Sequence, residues 1–112
     1  GEKEKAIDLL KLVIDRHSDS PNEFNPLVAA AKTRLCRIYI SQKDYQNVLN
    51  TLANSDMLTA SLLELKGDAE NQLGLYELAR VSYMRALQNS PSQTSRTLIN
   101  MKISDLEGEK SE

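Results

Sequence analysis

Five positions in this chain recur at one fixed separation. Cys36, Tyr39, Tyr45, Val48 and Leu52 align with Gly67, Glu70, Tyr76, Ala79 and Tyr83 at a constant offset of 31 residues. A repeat this short is one supersecondary unit, and its apolar face is covered only when units stack. The recurrence therefore points to a stacked array of small units.

Apolar spacing identifies those units as helical. Between Glu2 and His17, the residues Ala6, Leu9, Leu10, Val13 and Ile14 fall three and four apart, the stripe of an amphipathic helix. The polar run Ser18-Asp19-Ser20-Pro21-Asn22 ends it, because proline disfavours helical geometry at the preceding residue. Asn25-Pro26 is a start signal: asparagine caps with its side-chain oxygen and proline is preorganised for the first helical position. Leu27, Val28, Ala31, Leu35, Ile38 and Tyr39 carry a stripe from there to about Gln42. After a break at Lys43-Asp44, the residues Tyr45, Val48, Leu49 and Leu52 predict a short helix. Asn54-Ser55-Asp56 supplies a turn and an aspartate cap.

The next stripe, Leu58, Leu62, Leu63, Leu65 and Ala69, predicts a helix from about Met57 to Leu73. Gly74 ends it as a residue able to take positive φ. A helix over Leu75–Asn89 carries Tyr76, Ala79, Tyr83, Ala86 and Leu87 and stops at Ser90-Pro91. The last spans about Thr94 to Leu106, with Leu98, Ile99, Ile103 and Leu106 inward. The charged tail 107–112 is expected to fray. The fold class is all-α, with about six antiparallel helices in hairpins.

Residues Ala60 to Pro91 carry the clearest unit. Gly67, Gly74, Tyr76, Ala79, Tyr83, Ala86, Leu87 and Pro91 resemble the tetratricopeptide (TPR) pattern G-x6-G-x-Y-x2-A-x3-Y-x2-A-L-x3-P. Gly67, Ala79 and Ala86 permit close helix approach, Tyr76 and Tyr83 fill the wedge between the helices, and Pro91 terminates the second helix. The unit is divergent: Leu63 stands where the family usually has Trp, and Lys66 and Glu70 replace a usual Leu and Tyr. The domain reads as a TPR-like helical-hairpin solenoid over 1–112. Residues 1–17 are the second helix of a truncated repeat, 26–55 a degenerate repeat, 57–91 the best repeat and 94–106 a capping helix. A lone second helix leaves an apolar face uncovered, which implies a longer parent protein or self-association through this truncated repeat.

A narrower resemblance follows from Ala31-Lys32-Thr33-Arg34-Leu35-Cys36-Arg37-Ile38, Leu65-Lys66-Gly67-Asp68-Ala69, Gly74-Leu75-Tyr76-Glu77-Leu78-Ala79-Arg80 and Ile99-Asn100-Met101-Lys102-Ile103-Ser104-Asp105-Leu106. These resemble the YfgM family, ancillary subunits of the bacterial SecYEG translocon. The closing M-K-I-x-x-L carries most of the likeness, which covers about Ala29 to Leu106. The resemblance implies a single-pass inner-membrane protein whose TPR-like domain lies in the periplasm. Its implied partners are SecYEG and a PpiD-like membrane-anchored chaperone, and its implied work is assisting newly exported proteins. A generic TPR adaptor or secretion-linked scaffold, binding a peptide in its concave groove, is the competing reading.

Composition excludes several other classes. A formal net charge of −2, without a basic stripe and interleaved aromatics, gives nucleic-acid binding no support. No run of eighteen apolar residues is present, so any membrane attachment comes from a segment outside this sequence. Cys36 is the sole cysteine and sits in the small-residue slot of its repeat, which makes it a packing thiol. His17, the sole histidine, falls in a last helical turn where a cation suits the dipole, with no nucleophile pattern around it. Glu64 and Asp68 share a helix face, as paired carboxylates for acid–base work or a metal would, but bring no further ligand. They read as a solvated face or partner contact. Met57, Met84 and Met101 read as gap-filling core residues. The expectation is a non-catalytic chain with no cofactor and no metal.

In a TPR array the first helix of each pair lines the concave face. Carrying the family's groove positions over gives Thr33, Arg37, Ile40 and Ser41 from one unit and Glu64, Asp68, Asn71 and Gln72 from the next. The clamp that grips C-terminal carboxylates in some TPR adaptors needs Asn where this chain has Arg37 and Asp68, which argues against that mode. Charge, one Ile and amides suit a modest protein contact. Reversing Arg37 and Asp68 is expected to weaken partner capture without unfolding the domain.

Overall fold

The computed structural model describes residues 1–18, 23–53, 55 and 57–110, and contains six helices among them. These are α1 (Glu2–His17), α2 (Pro26–Ser41), α3 (Tyr45–Leu52), α4 (Ala60–Gln72), α5 (Tyr76–Asn89) and α6 (Gln93–Lys110). Each packs on its successor, and α2 also packs on α4 across the intervening helix. That pattern makes a helical-hairpin solenoid with extents of 43 × 31 × 24 Å.

Local chemistry sets the helix ends. Asn25 is extended, and its Oδ1 accepts from the backbone N–H of Leu27 at 2.9 Å and Val28 at 3.4 Å, with Pro26 opening α2. α4 begins at Ala60 rather than Met57, because Thr59 caps it: its Oγ1 accepts from Leu62 N–H at 3.2 Å. The aspartate cap expected at Asp56 and the break expected over 19–22 lie outside the described residues. Gly74 takes φ +79, and Lys43, its equivalent 31 residues earlier, is also left-handed at φ +59. α6 continues through 107–110, where fraying was expected; its Glu and Lys residues favour helix and no proline interrupts them.

The core is divided in two. Leu35, Cys36, Tyr39, Val48, Leu52, Leu62 and Ala69 form a first cluster, against which Ile7, Leu10 and Ile14 of α1 pack. Leu63, Ala79, Tyr83, Ala86, Ile99 and Leu106 form a second. The successive residues Leu62 and Leu63 point into different clusters, so α4 is the partition, and Leu58 touches both. Gly67 lies where α4 meets α5: a Cβ there would stand 2.6 Å from Tyr83 Cε1.

Burial corrects several expectations. Leu9, Leu27 and Leu98 were expected inward, yet are 64%, 51% and 51% exposed. Each sits on a stripe by spacing, but each helix of a solenoid has more than one apolar face. Met57, Met84 and Met101, read as core fillers, are all exposed. Cys36 is fully buried, and burial pushes its thiol up to about 12 against the opposing pull of Lys32. The packing role stands.

Candidate functional site

The eight groove residues fall on α2 and α4, the two first-of-pair helices, but they are not equally available. Arg37 and Gln72 are exposed, and neither has a side-chain partner among the described residues. Asn71 is half-buried. Ile40 packs against the first core cluster, so it contributes to stability as well as to the face. The Thr33 hydroxyl donates to Ala29 C=O at 2.8 Å. Ser41 donates to Ile38 C=O at 2.6 Å and accepts from Lys3 Nζ at 3.4 Å.

Glu64 and Asp68 are already engaged by the chain's own last helix. Lys102 Nζ of α6 lies 2.6 Å from Glu64 Oε2 and 3.0 Å from Asp68 Oδ1, and the Tyr83 hydroxyl donates to the same Asp68 Oδ1 at 2.6 Å. The ammonium also stands 5.9 Å from the Tyr83 ring centroid. A solvated face or a partner contact was expected; the structure gives an ionic junction joining α4, α5 and α6. Reversing Asp68 would break that junction, so Arg37 alone is a clean probe of the groove.

The junction's proton chemistry is fixed. Burial works against the Lys102 charge, but the hydrogen bond to Glu64 and the field of Asp68 outweigh it, and its pKa rises above the ordinary lysine value. Burial, then the bond to Asp68, raises the Tyr83 phenol above its usual range. Near neutrality Lys102 stays charged and Tyr83 stays protonated, so neither is poised as a general base.

A buried polar pair lies two residues beyond Asp68 on α4. Glu70 is 3% exposed and accepts from the Ser82 hydroxyl, itself buried, at 2.6 Å. Sequence reading marked Glu70 as a departure from the usual Tyr without finding its partner; the signal was Ser82, on the inward face of α5. Lys102 was also missed as a site residue, although it lies in the M-K-I-x-x-L run that carried the narrower resemblance. In the structure that run places Lys102 on the acidic pair, Ile103 against the second core and Leu106 inside it.

A cavity of about 330 Å³ lies elsewhere, between the end of α1, the start of α2 and the approach to α4. Ile14, Phe24, Val28, Lys32, Met57 and Leu62 line it, together with His17, and none of the eight groove residues does. His17 is exposed, as expected. Among the described residues, no group of three or more His, Cys, Asp or Glu is placed to hold a metal, and no helix is long and apolar enough to cross a membrane.

Comparison with known proteins matches residues 1–108 to a family described as a tetratricopeptide repeat-like domain. Neither the curated proteins nor the solved structures give a significant match.

Proposed function

Because the chain belongs to the tetratricopeptide repeat-like domain family, we propose that it is a non-catalytic protein-interaction module working beside the bacterial Sec translocon on the periplasmic side. The observation that carries the interaction reading is the side-by-side packing of α2 and α4, which presents Arg37 and Gln72 exposed and uncommitted. An exposed arginine on α2 and an exposed amide on α4 give a partner both charge and hydrogen-bond donors, and specificity without a deep pocket. The translocon setting rests on the resemblance of the four segments between Ala31 and Leu106, the last of which ends in the Lys102 junction.

Photo-crosslinkers placed at Arg37 and Gln72 of the full-length protein in cells test both parts. Capture of a translocon subunit or a membrane-anchored periplasmic chaperone is the expected result, with none from a control position at Val81 on α5. Capture of cytosolic proteins alone would overturn the setting. Equal capture from all three positions would overturn the groove.

A further inference from the structure

We propose that the cavity between α1, α2 and the approach to α4 binds a small apolar anion, an aliphatic body carrying one carboxylate, with Lys32 as its counter-ion. The inference is independent of the groove, none of whose eight residues lines the cavity. The space follows from the repeat. Tyr45 and Tyr76 open α3 and α5 at equivalent positions, but α3 has 8 residues and α5 has 14. In the longer helix, Ala86 is fully buried in the second core and Leu87 packs against that core. α3 stops at Leu52, the equivalent of Tyr83. Just past that end lies the cavity of about 330 Å³, with Ala53 and Ser55 in its wall. That volume suits a small ligand, since such pockets hold about 300–1,000 Å³.

Lys32 selects the ligand. It shares the buried face of α2 with Val28 and Cys36, each one turn away, and its equivalent in the next unit is Leu63, fully buried in the second core. Lys32 is half-buried and lines the cavity, and its ammonium donates to Ser55 Oγ at 2.9 Å. Ser55 in turn is the equivalent of Ala86, so a lysine and a hydroxyl stand where the next unit has a leucine and an alanine. An ammonium offers three donors, and a charge on a core face costs stability unless an anion meets it. Among the described residues, no carboxylate pairs with Lys32. The other titratable groups described in the lining are Glu23 and His17, both exposed. Solvent screens Glu23, whereas Lys32 acts at close range from a half-buried position. Ile14, Val28, Leu58 and Leu62 face the aliphatic body, and the exposed Phe24 and Met57 leave the cavity accessible.

Amide NMR titrations of the chain test this, with octanoate against octanol and N-acetylleucine against its amide. The two anions stand for the two sources of this chemistry, a free acyl chain and the end of a peptide, and whichever binds names the source. Shifts are expected around Val28, Lys32 and Leu58, with each neutral counterpart about tenfold weaker. Lys32→Met should weaken anion binding by about tenfold with the helical circular dichroism unchanged. Lys32→Leu, which places the next unit's residue there, should abolish binding and raise the melting temperature. Three results would overturn the proposal: no binding of either anion, a neutral compound bound as tightly as its anion, or anion binding undiminished in Lys32→Leu.

Discussion

The Cβ that Gly67 lacks would stand 2.6 Å from Cε1 and 2.7 Å from Cδ1 of Tyr83, a ring that is 1% exposed. The ring cannot swing aside freely, because its hydroxyl is held by Asp68. Glycine inside a helix ordinarily costs about 1 kcal/mol relative to alanine. Overpacking a close contact costs about 1–3 kcal/mol, so crowding wins at this position. Gly67→Ala should lower stability by up to about 2 kcal/mol in urea unfolding. Combined with Tyr83→Leu, which vacates the ring's space, it should cost less than the sum of the two single changes.

Lys102→Met leaves Glu64 and Asp68 facing each other on α4 without their cation. The three side chains are partly solvated, so a loss of about 1 kcal/mol at neutral pH is expected. The larger signature is alkaline. Lys102 and Tyr83 both hold their protons more tightly in the folded chain than in the unfolded one. Their contribution is therefore complete below the ordinary tyrosine value of 10.0 and is lost as pH rises through the raised folded values. Thermal melts should show Tm falling above that pH, and falling less in a Lys102→Met, Tyr83→Phe double variant. A slope unchanged by the double substitution would count against the junction.

Glu70 and Ser82 stabilise each other only as a pair. Ser82→Ala should cost about 1–3 kcal/mol, since a buried carboxylate loses the hydroxyl that donates to it. Glu70→Leu with Ser82→Ala removes both polar groups, and should melt closer to wild type than Ser82→Ala alone.

Lys43 and Gly74 occupy equivalent hairpin turns with φ of +59 and +79. A side chain disfavours this left-handed conformation by about 1 kcal/mol or more. Lys43→Gly should raise stability by about 0.5–1 kcal/mol and Gly74→Ala should lower it by a similar amount, both read from denaturant midpoints.

Much of the fold is visible in local chemistry. The Asn25-Pro26 start, the Gly74 turn, the burial of Cys36 and the small residues Gly67, Ala79 and Ala86 all announce themselves, because each acts within one or two helical turns. The Lys102 junction does not, since Lys102 follows Glu64 by 38 residues and periodicity names a face without naming which charges meet across it. The same limit hid the Glu70–Ser82 pair. It also misassigned Leu9, Leu27 and Leu98, whose spacing fits a buried stripe but whose helices have more than one apolar side. Of the groove, the helices were legible and the occupancy was not.

The partition made by α4 sets how the molecule comes apart. With Leu62 committed to one cluster and Leu63 to the other, α5 and α6 share few side chains with α1, α2 and α3, and among the described residues Leu58 is the one packed on both. A chain built this way behaves as two neighbouring cooperative units rather than one. Amide hydrogens of α5 and α6 should exchange through an opening that leaves α2 and α3 protected. The central helix, held from both sides, would be the last to release its protons to solvent.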